Sequence, residues 1–160
     1  LACALYLLAK YPDVQEKARR EVNSVIGDQE KDYIPSIDQL KDFNYLSCVI
    51  KETMRLYPSV ATLPLRKCVS DTKLGNLKIP AGCFVSVAIY SMQHKNSNYE
   101  KPDDFIPERF YDENAQSLKQ PLESLNEYRW VPFSGGSRIC IGMQFSLIEQ
   151  KVVLLSKIGI

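Results

Sequence analysis

Apolar residues recur at helical spacing in three stretches of the chain. Val14, Ala18, Val22, Val25 and Ile26 predict an amphipathic helix that opens at Pro12-Asp13 and ends at Gly27. Its charges (Glu16, Lys17, Arg19, Arg20, Glu21) read as a solvated face, with Glu16 and Arg20 four apart and placed to pair. Asn44 to Tyr57 predicts a second helix, terminated by Pro58. From Ile141 onward, Phe145, Ile148, Val152 and Leu155 make a helix apolar on more than one side, fit for the core of a large protein. Leu1 to Ala9 reads as the last turns of a further buried helix.

Between these helices the pattern changes period. Cys83 to Tyr90 alternates, with Cys83, Val85, Val87 and Ile89 on one face and Phe84, Ser86, Ala88 and Tyr90 on the other. Together with Leu77-Lys78-Ile79 and the turn Pro80-Ala81-Gly82, this predicts a β-hairpin. Ser36-Ile37-Asp38-Gln39 has the form of a capping box opening a short helix, after a loop over 28–35. Residues 101–110 read as irregular and extended. Residues 111–129 are polar and patternless, interrupted by Pro121, and read as a loop with one short helix. The fold class is mainly α with a small β-sheet.

Composition narrows the picture. The chain has 160 residues, 45% hydrophobic and 24% charged, which describes an ordinary globular protein. A net charge of +1 gives no electrostatic reason to expect nucleic acid as partner. Five cysteines (Cys3, Cys48, Cys68, Cys83, Cys140) are scattered without a Cys-x-x-Cys pair, and the single histidine, His94, lies far from any of them. That spacing argues against a structural zinc site and a secreted disulfide framework, and a reducing compartment fits it best. Leu1 to Ala9 is too short to span a bilayer and lacks the charged start of a signal peptide. Both ends run through apolar segments, so residues 1–160 are expected to be an incomplete portion of one domain, truncated at both ends.

The candidate chemistry lies in Phe133-Ser134-Gly135-Gly136-Ser137-Arg138-Ile139-Cys140-Ile141-Gly142, directly before the last helix. Gly135 and Gly136 can turn tightly and deliver Cys140 to the threshold of that helix. A helix N-terminus and the nearby Arg138 favour a thiolate. Gly142 leaves no side chain in the way of something large and flat, and Phe133 walls off water. The arrangement suits a thiolate ligating a metal inside a cofactor. Phosphate-cradling readings fail, because no Gly-Lys-Ser/Thr follows and no Gly-x-Gly-x-x-Gly is present. In the second helix, Glu52 and Arg55 lie three apart and share a face. On a solvated helix such a pair contributes only roughly 0.2–0.5 kcal/mol.

The spacing Phe-x-x-Gly-x-Arg-x-Cys-x-Gly resembles the haem-binding loop of the cytochrome P-450 superfamily at all five of its positions. Lys51-Glu52-Thr53-Met54-Arg55-Leu56-Tyr57-Pro58 and Pro107-Glu108-Arg109-Phe110 resemble two further motifs of the family, in its order, and the likeness covers essentially the whole chain. The resemblance implies the C-terminal part of that fold: the end of a long helix, two amphipathic helices, a β-hairpin, a coil beneath the haem, the cysteine loop and a core helix. It implies haem b as cofactor, with Cys140 as axial ligand to the iron. Phe133, Gly136 and Gly142 would shape the pocket, and Arg66 and Arg138 would pair with the propionates. Glu52, Arg55 and Arg109 would form a buried structural network, and His94 takes a structural role. No catalytic residue beyond the ligand is expected in this stretch, because the family's distal helix would precede Leu1.

The implied reaction inserts one oxygen atom from O₂ into an apolar organic substrate, with electrons from NADPH through a reductase. The motifs resemble the microsomal branch, which implies an endoplasmic-reticulum membrane enzyme facing the cytosol, held by an N-terminal anchor absent from this chain. Two alternatives are a haem-thiolate isomerase or dehydratase acting on a peroxide, and a haem-binding module without turnover.

Overall fold

The computed structural model describes residues 1–27, 33–112, 114, 117–118 and 129–158. Four helices supply most of the core: α1 (Ala2–Lys10), α2 (Pro12–Ile26), α3 (Asn44–Leu56) and α5 (Met143–Ile158), with the short α4 (Ile89–Gln93) beside them. The fold is mainly α with small antiparallel β elements. Helix α2 starts at Pro12, which has no N–H to leave unpaired, and stops at Gly27, as its periodicity predicts. Its apolar face buries Val14, Ala18 and Val22. On its outer face Glu16 pairs with Arg20 at 3.4 Å and more closely with Arg19 at 2.8 Å. Helix α1 buries Ala4, Leu7 and Leu8 but leaves Leu5 and Tyr6 exposed, so it is half-buried here.

Helix α3 is the axis of the structure. From Tyr45 to Leu56 every residue except Lys51 is buried, polar ones included. A helix can be enclosed on all sides only if its polar side chains find partners. Ser47 and Thr53 turn their hydroxyls onto the carbonyls of Phe43 (2.6 Å) and Val49 (2.8 Å), four residues back. The N-terminus of α3 has Phe43 at the cap position, which cannot accept from the first turn. Glu21 of α2 does so instead, its two carboxylate oxygens accepting from the Tyr45 and Leu46 N–H groups at 2.7 and 2.9 Å. Glu21 is therefore not part of a solvated face. It is a cap supplied from a neighbouring helix.

Glu21→Ala should lower stability by about 1–2 kcal/mol, the cost of losing an N-terminal cap, read as a reduced denaturant midpoint. Burial raises the Glu21 pKa above its ordinary 4.5, against the lowering effect of the Tyr45 and Leu46 N–H bonds. A carboxyl whose pKa rises on folding favours the folded state while protonated, and loses that advantage as pH rises past 4.5 and through the raised value. Glu21→Gln keeps an acceptor oxygen and should flatten this part of the pH–stability curve; an unchanged slope would show that Glu21 is not its source.

Ser36 and Gln39 form the reciprocal bonds of a capping box, Ser36 N–H to Gln39 Oε1 at 2.9 Å and Gln39 N–H to Ser36 Oγ at 3.3 Å. They open a single 3₁₀ turn, Gln39–Lys41. The β elements differ from the predicted hairpin. β2 (Thr72–Leu74) pairs with β3 (Leu77–Ile79), whereas β4 (Phe84–Val85) pairs with β1 (Arg66–Lys67). The alternating run 83–90 is a strand only at Phe84–Val85, and its last two residues begin α4, so His94 follows a helix rather than a strand. Its neighbour is the segment before β1: Leu63 N–H donates to Val87 O at 2.9 Å and Tyr90 N–H to Ala61 O at 3.0 Å. His94 stacks on Tyr90 with ring centroids 4.0 Å apart and holds the Tyr90 carbonyl through Nδ1 at 2.9 Å.

β5 (Tyr111–Asp112) pairs with β6 (Ser117–Leu118). Apart from Asn114 and Arg129, the rest of the predicted coil over 111–129, and residues 28–32 of the earlier loop, lie outside the described residues. Helix α5 buries Gln150, Leu154, Leu155 and Ile158 against the core, but Phe145 is 72% exposed and Ile148 also faces outward. The expectation of a helix covered on several sides is met here on one side only. Leu147 and Val152 are partly buried against that core, so the uncovered apolar surface of the helix is Phe145 with Ile148.

Candidate functional site

Two constellations flank α3. The first is the cysteine loop. Trp130 anchors its start, donating Nε1–H to the Lys51 carbonyl at 3.0 Å and meeting Phe110 edge-on at 6.0 Å. The Lys51 ammonium lies over both rings, at 5.5 Å from Trp130 and 5.8 Å from Phe110. Burial lowers the pKa of that amine. Ser134 N–H closes a turn on Val131 O at 3.0 Å, and Cys140 N–H returns to Phe133 O at 2.9 Å. The residues in the left-handed region are Ser134 (φ 65°) and Gly136 (φ 69°). Gly135 is extended, so the tight turning expected of the glycine pair is shared instead between a serine and the second glycine.

A 3₁₀ turn, Gly136–Arg138, then leads to Cys140, whose carbonyl accepts from Met143 N–H at 3.2 Å as α5 begins. The thiol is exposed, and a Cβ added to Gly142 would lie 3.8 Å from its sulfur. Beside this loop is a cavity of about 670 Å³. Phe133, Arg138, Cys140 and Gly142 line one side of it, and Met54 and Tyr57 of the α3 end line another. Cys3 also reaches it, from within α1. Gly136 does not line it; its part is to turn the loop. Arg66 is exposed at the start of β1, two residues beyond Pro64, which does line the cavity. Neither Arg66 nor Arg138 makes an ion pair among the described residues.

Among the described residues no three His, Cys, Asp or Glu side chains converge as an all-protein metal cage. A soft sulfur donor in the loop at the edge of a largely apolar cavity, with a guanidinium beside it, instead fits a metal brought within a flat organic cofactor bearing acidic groups.

The second constellation joins Glu52, Arg55 and Arg109. Glu52 and Arg55 side chains are both 0% exposed, and the pair is bidentate: Arg55 Nε to Glu52 Oε2 at 2.7 Å and Nη2 to Oε1 at 2.9 Å. Arg109 Nε approaches Oε1 at 3.2 Å, and Ile106 N–H donates to the same oxygen at 3.0 Å. Arg55 places its remaining donors on three backbone carbonyls, Gln93 at 2.9 Å, Pro102 at 2.6 Å and Asp104 at 3.0 Å. All five guanidinium N–H groups are thus used, which a lysine could not reproduce. The Tyr99 ring lies 4.9 Å from the Arg55 guanidinium carbon, and burial pushes the Tyr99 phenol up to about 12. Arg109 reaches Lys101 O at 2.6 Å. This network ties 93–109 to α3, with the Glu52–Arg55 pair at its centre fully enclosed.

Several participants were not visible in the sequence. The carbonyls of Gln93, Pro102 and Asp104 leave no side-chain signature. Glu108 of the Pro-Glu-Arg-Phe stretch bonds Lys17 at 2.6 Å and the Tyr45 hydroxyl at 2.9 Å, joining α2, α3 and the 3₁₀ turn Pro107–Phe110. Although burial works against its charge, those two partners help hold the Glu108 carboxyl below its usual range. Met54 and Tyr57 could have been found as cavity residues from their shared helical face.

A family model described as cytochrome P450 matches residues 1–158. Similar curated proteins include cytochrome P450 3A2 of Rattus norvegicus, 36% identical over 154 residues, which covers 96% of this chain and 28% of the relative. Cytochrome P450 3A13 of Mus musculus is 38% identical over 156 residues, covering 97% of this chain and 29% of its own length. Cytochrome P450 4V2 of Homo sapiens is 37% identical over 151 residues, covering 94% and 27%. The chain belongs to the cytochrome P450 family and corresponds to little more than a quarter of these relatives' length.

Proposed function

We propose that this chain forms the cysteine-ligand side of a haem-dependent monooxygenase, which inserts one oxygen atom from O₂ into an apolar organic substrate with electrons from NADPH through a reductase. The observation that carries this reading is the placement of Cys140: an exposed thiol at the start of α5, on the wall of the cavity it shares with Phe133, Arg138 and Gly142. Cys140 would hold the iron of haem b, which when bound activates O₂, thiolate ligation favouring cleavage of the O–O bond. On this side of the site the chain's own residues supply binding and orientation. Phe133 would wall one side of the cavity that the sulfur faces, and Gly142 leaves room for a flat group beside it. Gly136 gives the loop its turn. Arg138 and Arg66 supply guanidinium groups for the propionates through charge-assisted hydrogen bonds. Glu52, Arg55 and Arg109 hold α3 and residues 93–109 in register behind the cavity.

The motifs' likeness to the microsomal branch supports a place at the endoplasmic-reticulum membrane, facing the cytosol. No helix among the described residues is long and apolar enough to cross a membrane, so attachment would use another segment. The intact protein, supplied with NADPH, a reductase, ¹⁸O₂ and a panel of apolar compounds, should yield a product carrying one labelled oxygen atom. Rearrangement of an added hydroperoxide without any NADPH-dependent labelled product would overturn the reading in favour of an isomerase.

A further inference from the structure

Away from this site, a bulge sets Cys68 and Cys83 face to face. β1 and β4 run antiparallel with Arg66 opposite Val85 and Lys67 opposite Phe84. One further residue along that register is Cys68 opposite Cys83. The backbone agrees: Cys68 N–H donates to Cys83 O at 2.8 Å, and Gly82 N–H donates to Cys68 O at 2.8 Å. Gly82, at φ 87°, is the extra residue, in a backbone conformation that side chains rarely adopt. Two residues facing one, with a left-handed glycine first, define a bulge in which the second residue keeps its place opposite the partner strand.

Directly opposed residues of an antiparallel pair carry their side chains on one face, with Cα atoms about 5.5 Å apart when hydrogen-bonded. Disulfides span Cα separations of about 4.4–6.8 Å. Both thiols are free, Cys83 exposed and Cys68 partly covered. Neither lies in the cysteine loop or in the core: Cys48 is buried in α3, and Cys3 and Cys140 reach the cavity.

We infer that Cys68 and Cys83 form a reversible dithiol–disulfide pair, oxidised by small-molecule disulfides, that staples the base of the β2–β3 hairpin. The exposed Cys83 thiolate attacks one sulfur of the small disulfide. A bond to Cys83 forms, the original S–S bond breaks, and one small thiol departs with the proton Cys83 has lost. The Cys68 thiolate then attacks the Cys83 sulfur, forming the Cys68–Cys83 bond and releasing the second small thiol with the proton from Cys68. In balance, two cysteine sulfurs are oxidised and one small disulfide is reduced to two thiols. The bridge closes residues 69–82, an arm whose strands are exposed at every position except Ile79, which is partly covered. Oxidation state thereby sets how freely this arm moves. The pair is independent of whatever group Cys140 holds.

The intact protein is incubated with oxidised glutathione, its remaining thiols alkylated, and its tryptic peptides weighed without reduction. The peptide Cys68–Lys73 should be found joined to Ile79–Lys95, two hydrogens lighter than their sum, and should separate on adding dithiothreitol. Cys68→Ser should accumulate glutathione on Cys83 about tenfold over the unsubstituted protein, because the resolving thiol is gone, while Cys83→Ser should gain little on Cys68. Limited proteolysis at Lys73 or Lys78 should be several-fold slower in the oxidised form. Glutathione retained on Cys83 without the joined peptide, no reaction at either thiol, or linkage of either to Cys3, Cys48 or Cys140 would overturn the inference.

Discussion

Replacing Cys140 alone by serine or histidine should remove the red-shifted Soret band of the ferrous–CO complex from the intact protein, even where some haem stays bound. The variant with Cys3, Cys48, Cys68 and Cys83 all changed to serine should keep it. The band reports a sulfur ligand, so the pair of variants asks which sulfur. Cys48 is buried within α3, and Cys68 and Cys83 lie opposite one another just beyond the β1–β4 pair. Cys3 is the real competitor, because it also reaches the cavity. It lies inside α1, however, whereas Cys140 lies at the start of α5, where the positive end of the helix complements an anionic ligand. Gly142 leaves the space beside its sulfur unfilled. Survival of the band in Cys140→His, or its loss in the fourfold variant while haem is retained, would reassign the ligand.

Glu52→Ala should cost about 3–5 kcal/mol, the loss seen when one partner of a buried ion pair is removed. Arg55 would remain fully enclosed, two of its five donors unpaired and its charge uncompensated, and the Ile106 N–H would lose its acceptor as well. Arg55→Ala should be comparably severe, since it strips partners from three carbonyls and from the Glu52 carboxylate. Arg55→Lys should rescue little, because an ammonium cannot serve five acceptors spread around a plane. Arg109, with a side chain 14% exposed and one bond to Glu52, should be the mildest position. Soluble yield, thermal midpoint and haem content read the series. Glu52→Ala with a near-normal midpoint would show that the network does not hold the fold together.

The helices were legible in the sequence because their signals are local. Pro12, the apolar spacing of α2 and Gly27 fix an element without reference to anything outside it. The strands were not, since two-residue pieces have no period of their own and β1 finds β4 almost twenty residues away. Alternation over 83–90 reported a strand only at Phe84–Val85, because the end of the run, from Ile89, belongs to α4. Glu21 was misread for a related reason: a charge on an amphipathic helix is assigned to water unless a neighbouring helix end is known to stand beside it. The candidate site was legible where its residues are contiguous, as in Phe133 to Gly142. The joining of Glu52 and Arg55 with Arg109 was legible only through likeness to a family. Its carbonyl partners were not legible at all.

Arg55 has a consequence for how the molecule breathes. The stretch from Pro102 to Asp104 has no ladder of its own, and its Pro102 and Asp104 carbonyls are held by one side chain of the central helix. Withdrawing that single guanidinium frees both at once, while freeing either alone leaves the other still bound to it. Exchange of the Asp103 and Asp104 amides should therefore proceed in step with opening of the last turns of α3, as one cooperative unit rather than by fraying inward from a loop. An apparently irregular connector inherits the protection of the most enclosed helix among the described residues.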